Sequence, residues 1–155
     1  MIPEFQKLED NEIELVYKAP ILVCILIAGA DGTIDKKEIS GAIKFAQKKH
    51  RRSLSPVATL FKEVATDFED KMKILIQSYP FESTQRDPIL IEELSALNPL
   101  WPKLDRTFTT EYYKTLREIA EKIASSSGGM FGYKSIGEEE AKYMSLPMIN
   151  DPSQA

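Results

Sequence analysis

The sequence predicts an all-α fold, a compact single-domain bundle of about six to eight helices. Three observations carry that expectation. Apolar residues recur at helical spacing through most of the chain, no strand-like alternation of useful length occurs, and proline, glycine and serine clusters fall between the periodic segments. At 155 residues, one domain can bury roughly 68 to 70% of the surface its unfolded chain would expose, without staples. Residues 1–155 are read as one domain, with a core from about residue 10 to 145 and a flexible tail over 146–155.

The elements follow in order. Glu4 to Lys18 is mixed and acidic, with Phe5, Leu8, Ile13, Leu15 and Val16 only loosely spaced for a helical face. Pro20, whose ring clashes with the carbonyl four residues back, predicts a new helix with the proline in its first turn. Ile21 to Ala28 (ILVCILIA) is apolar on every side, so the helix it forms must be covered all round by the rest of the chain. Ile39, Ala42, Ile43 and Ala46 mark one face of an amphipathic helix that ends in Lys48-Lys49-His50-Arg51-Arg52. Those cations suit the negative end of a helix dipole.

Ser55-Pro56 has the form of a cap followed by a first-turn proline. The stripe from Val57 through Phe61, Val64, Phe68 and Met72 to Tyr79 then reads as one helix, or two divided near Thr66-Asp67. Pro80 and Pro88 bracket a loop, and Ile89 to Leu97 makes a shorter helix. Pro99 and Pro102 flank Trp101, which is expected to lid the core. Thr109 is read as the cap of the next helix, with Phe108 stapled to Tyr113 and a stripe through Tyr112, Leu116, Ile119 and Ile123. Ser125 to Gly129 ends that helix. Ser135 to Glu138 has capping-box spacing and introduces a last short helix to about Ser145.

Composition excludes several function classes. A single cysteine, Cys24, lies inside the apolar run, which leaves no disulfide framework and reads as a reducing, cytoplasmic setting. One histidine, His50, cannot supply the usual zinc ligand set or pair with a buried cysteine nucleophile. The net charge of −4 argues against a nucleic-acid partner, and no apolar stretch reaches the roughly 20 residues of a membrane span. Protein partners are therefore expected, with peripheral membrane contact through Lys48 to Arg52 left open. No enzymatic activity is expected, although a carboxylate-only acid/base site stays open among twenty-four acids. The loop Gly128 to Tyr133 lacks the ending and the preceding strand of a phosphate cradle.

The stretch Ala30-Asp31-Gly32-Thr33-Ile34-Asp35-Lys36-Lys37-Glu38 holds the most recognisable chemistry. Laid on an EF-hand loop, Asp31, Gly32, Thr33, Asp35 and Glu38 take positions 5, 6, 7, 9 and 12. Positions 1 and 3 fall on Ile27 and Gly29, which offer no carboxylate. Three carboxylates and a carbonyl fall short of the six to eight oxygens that calcium takes. Two readings stand: a weak or shared divalent-cation site at Asp31, Asp35 and Glu38, or a pair of helix caps in which Gly32 ends one helix while Asp35 and Glu38 begin the next. Glu9-Asp10 or Glu138-Glu139-Glu140, if folded nearby, would complete the cation site.

IAGADGTIDKKEI, preceded by an apolar helix and followed by an amphipathic one, resembles the tellurite-resistance TerB-like family, also found at the amino end of a DnaJ-type membrane cochaperone. SSSGGMFGYKSIGEEEAKYM resembles the glycine-aromatic loop and terminal acidic helix common in that family. The resemblance spans roughly Pro20 to Ser145. It implies an all-helical domain without established enzymatic activity, associated with stress or metal resistance, with chelation at Asp31, Asp35 and Glu38. The proline-rich stretch Pro80 to Pro102 is longer than that family leads one to expect, which marks a divergent member.

Overall fold

A helix with no polar face is stable only when other elements enclose it, and the fold is built around that requirement. The computed structural model describes residues 5–29, 36–49, 55–127 and 143–154. Among them are six α-helices: α1 Asp10–Ala28, α2 Lys36–Lys49, α3 Pro56–Thr66, α4 Phe68–Ser78, α5 Ser83–Ser95 and α6 Arg106–Ser127. Short 3-10 segments span Asn98–Lys103 and Pro152–Gln154, and no strand occurs among the described residues. No helix among them is long and apolar enough to cross a membrane.

The second half of α1 is the axis of the bundle. Ile21 to Ala28 are all buried, none more than 3% exposed, and α6, α5, α2, α3 and α4 all pack against this helix. Cys24 is one of these wholly buried residues, and burial raises its thiol far above the range in which thiolate chemistry operates. α2 rests on α6, α3 and α1 through Ile39, Ala42, Ile43 and Ala46, all buried as their spacing predicts.

Pro20 does not start a helix. α1 begins at Asp10 and runs through the proline, which is buried. Its first turn is held by the Glu9 N–H, which donates to Glu12 Oε1 at 2.8 Å, and Lys103 Nζ donates to the other oxygen of Glu12 at 2.9 Å. A proline at position 20 removes the N–H that would bond the Val16 carbonyl. The Tyr112 hydroxyl of α6 donates to that carbonyl instead, at 2.7 Å, in a fully buried contact. A tertiary bond thus replaces the missing helical one, and the helix continues.

Two further expectations are corrected. α5 begins at Ser83, so Pro88 lies inside it rather than at its start; the turn before the proline is docked by the buried Arg86. α6 begins at Arg106 and not at Thr109. Asp105 Oδ2 accepts the Thr107 N–H at 3.1 Å and acts as the cap, while the Thr109 hydroxyl donates to the Arg106 carbonyl at 3.1 Å. Phe108 stacks on Tyr112, with centroids 5.8 Å apart, and meets Phe5 edge-on at 5.6 Å.

The chain beyond Pro147 is packed, contrary to the expectation of a frayed tail over 146–155. Leu146 and Ile149 are buried, Asn98 bonds the Met148 carbonyl and the Asn150 N–H, and the Trp101 indole N–H donates to the Asn150 carbonyl at 2.8 Å. Trp101 does lid the core, edge-on to Tyr112. At the other end the core reaches Phe5 and Leu8, ahead of the boundary expected at residue 10.

Other elements agree with their sequence signals. Ser55 Oγ accepts the Ala58 N–H at 3.1 Å and donates to Glu111 at 3.1 Å, capping α3 and tying it to α6. Asp67, at φ −120, divides α3 from α4. The glycine-aromatic loop and most of the final helix expected from Ser135 lie outside the described residues.

Candidate functional site

α1 delivers the chain to the acidic turn at a fixed point. Its cap, Gly29, has an ordinary φ of −94, so its identity is a matter of space and not of backbone conformation. A Cβ there would lie 2.4 Å from Arg86 Nη2 and 2.8 Å from the Ile25 carbonyl oxygen. Arg86, 3% exposed, donates to the Gly29 carbonyl at 2.7 Å and to the Phe81 carbonyl at 3.1 Å, with Asp87 Oδ1 3.6 Å from its Nε. A buried guanidinium therefore sits at the negative end of the α1 dipole. It also clasps the start of α5 to the end of α1.

Asp31 and Asp35 lie outside the described residues, as does the side chain of Glu38, whose backbone belongs to the first turn of α2. Glu9 and Asp10 are at the opposite end of α1, about 28 Å away at a rise of ~1.5 Å per residue, so they do not serve the turn. Glu138 to Glu140 fall outside the described residues. No group of three or more histidine, cysteine, aspartate or glutamate side chains gathers among those described. Sequence reasoning missed Arg86, because it placed that residue in a loop between two prolines; a lone arginine before Asp-Pro carries no signal of its own.

A second feature lies on the outward side of α2. Gly41, Lys44, Phe45 and Lys48 of α2, Lys62 of α3 and Lys122 of α6 surround an open groove of about 720 Å³. Phe45 is 39% exposed within it, and Lys122 Nζ stands 5.3 Å from the centre of its ring. No carboxylate is among the described residues lining it. Only Lys48 of this set stood out in the sequence, as part of the basic run; Lys62 and Lys122 come from distant segments.

On another face, two phenols are paired with carboxylates. Tyr17 donates to Glu63, and Tyr79 donates to Glu93 at 2.5 Å, with Lys18 3.4 Å from the same Glu93 oxygen. Partial burial first, and the neighbouring carboxylate second, push both phenols well above their usual 10.0. Both stay protonated at neutral pH and act as hydrogen-bond donors, Tyr17 tying α1 to α3 and Tyr79 tying the end of α4 to α5.

No protein-family model, no curated protein and no solved structure matches this chain.

Proposed function

We propose that the chain is a non-enzymatic helical binding and scaffold module of TerB-like type, with a divalent cation linked to the turn at Asp31, Asp35 and Glu38. The observation that supports it is the anchoring of the two helices that flank the turn. The second half of α1 is enclosed on all sides, and α2 is held by its Ile39, Ala42, Ile43 and Ala46 face, so the acidic stretch joins two elements that both belong to the core. A link of that kind transmits a change at the turn to the outward face of α2. The connection with stress or tellurite resistance rests on the resemblance of IAGADGTIDKKEI and of the later glycine-aromatic stretch.

Arg86 favours a second reading, a protein-interaction domain with no metal. Its guanidinium bonds the Gly29 carbonyl, two residues before Asp31 in sequence, and ties the end of α1 down without a metal. The two readings part in one experiment: titration calorimetry of metal-free protein with calcium, magnesium, zinc and manganese, beside thermal unfolding of the same samples. The cation-linked reading expects a saturable heat and a raised melting temperature, both lost in Asp31→Ala/Glu38→Ala. The absence of heat and shift at millimolar metal sinks it and leaves the metal-free module.

A further inference from the structure

We infer that the groove between α2, α3 and α6 docks an acidic peptide segment of a partner protein, one that places an apolar side chain against Phe45 and carboxylates among Lys44, Lys48, Lys62 and Lys122. This rests on the reading of the chain as a binding module and names the chemistry of its partner.

Three independent features point the same way. The first is the sign of charge: in a chain of net charge −4, four exposed lysines from three helices converge on one concavity, where low-dielectric walls concentrate their field. The second is the exposed ring in its lining. Phe45 gives such a site an aromatic anchor, the residue type enriched where interfaces are held.

The third is what the helix forgoes. Lys44 and Lys48 stand four apart on α2, a like-charge spacing that weakens a helix. Gly41, one turn earlier, is exposed in mid-helix, where glycine is a poor choice. A Cβ at Gly41 would meet nothing within 4 Å among the described residues, so no packing within them explains the glycine. Its absent side chain leaves that part of the groove's lining open to a close approach. A groove of about 720 Å³ with an exposed ring in its lining has room for an apolar side chain flanked by carboxylates.

The test uses the full chain and a fluorescein-labelled peptide of glutamate, phenylalanine and leucine, with glutamine-for-glutamate and lysine-for-glutamate versions as controls, read by anisotropy. Vesicles containing phosphatidylglycerol form a parallel arm, read by co-sedimentation. The acidic peptide is expected to bind and the controls not, with binding weakened by salt. Lys44→Glu, which turns a repulsive i,i+4 pair into an attractive one, is expected to hold or raise the melting temperature while weakening binding at least about tenfold. Gly41→Gln, a better helix former that adds bulk to the groove's lining, is expected to do the same.

Binding that survives both substitutions places the peptide elsewhere and overturns the inference. Failure of the acidic peptide to bind overturns it, and so does capture by vesicles without capture of peptide. A chain that responds to metal but fails here keeps its place as a cation-linked module and loses only this groove. A chain that binds the peptide without responding to metal is the metal-free module.

Discussion

The hydroxyl of Tyr112 occupies the place of the N–H that Pro20 lacks, donating at 2.7 Å to the Val16 carbonyl in the middle of α1. Neither residue is informative alone. Together they let a proline sit inside the central helix, and they fix α6 in register against α1.

That relationship is testable by a double-mutant cycle. Tyr112→Phe is expected to destabilise the chain by about 1–3 kcal/mol, since it leaves a buried carbonyl without its donor. In a Pro20→Ala background the backbone N–H returns to Val16, and the same substitution is expected to cost clearly less. Denaturant unfolding of the four proteins measures the coupling; equal costs in both backgrounds would show that the hydroxyl does not stand in for the helical bond.

Gly29 is predicted to resist even alanine. The added Cβ, 2.4 Å from Arg86 Nη2, must push the guanidinium off the Gly29 carbonyl. A loss of about 1–3 kcal/mol is expected, with faster amide exchange at both the end of α1 and the start of α5. Arg86→Lys is expected to be nearly as damaging, because an ammonium cannot reproduce the planar fork that reaches both Gly29 and Phe81.

Removal of residues 146–155 is expected to cost on the order of 3 kcal/mol, from the lost burial of Leu146 and Ile149. It also strips the partner from the Trp101 indole, so tryptophan emission is expected to shift to the red. An unchanged spectrum would mean that the segment does not cover Trp101 in solution. Leu146 holds a left-handed φ of 52, and this strain is sustained by its complete burial.

Stability is expected to fall at both ends of the pH scale for different reasons. Glu12 is held below its usual 4.5, first by the Glu9 N–H and then by Lys103, and Asp151 below its usual 3.8, first by the Ser153 hydroxyl. A depressed carboxyl stabilises the fold above its unfolded value, and that contribution disappears as pH falls through the lower folded one. At the alkaline end, desolvation raises the phenols of Tyr17, Tyr79 and Tyr112 above their usual 10.0. The unfolded chain releases those protons first, so stability drops as pH climbs past about 10. Ultraviolet titration should find these three phenols ionising together with loss of helix; ionisation of all of them in the folded protein would contradict their pairing and burial.

Gly41→Ala is expected to raise stability by about 0.5–1 kcal/mol, since the new methyl enters open space on an exposed helix. A loss of stability would indicate a neighbour at that position.

What the sequence alone determined is whatever depends on neighbours along the chain. The unbroken run Ile21 to Ala28 required a central, enclosed helix; Ile39, Ala42, Ile43 and Ala46 required a face turned inward; Ser55-Pro56 required a helix start. Periodicity and caps act over one or two turns, so they are legible in the letters. Tertiary structure decided the rest, by bringing together groups that are remote in the chain. Pro20 reads as a helix start until Tyr112, far along the sequence, offers a donor to Val16. Arg86 reads as a loop residue until Gly29 leaves room for its guanidinium. The last residues read as a tail until Asn98 and Trp101 take up their backbone groups. Lys44, Lys62 and Lys122 are ordinary surface cations until three helices aim them at one groove. In each case the deciding free energy belongs to a contact between segments, and local pattern carries no record of it.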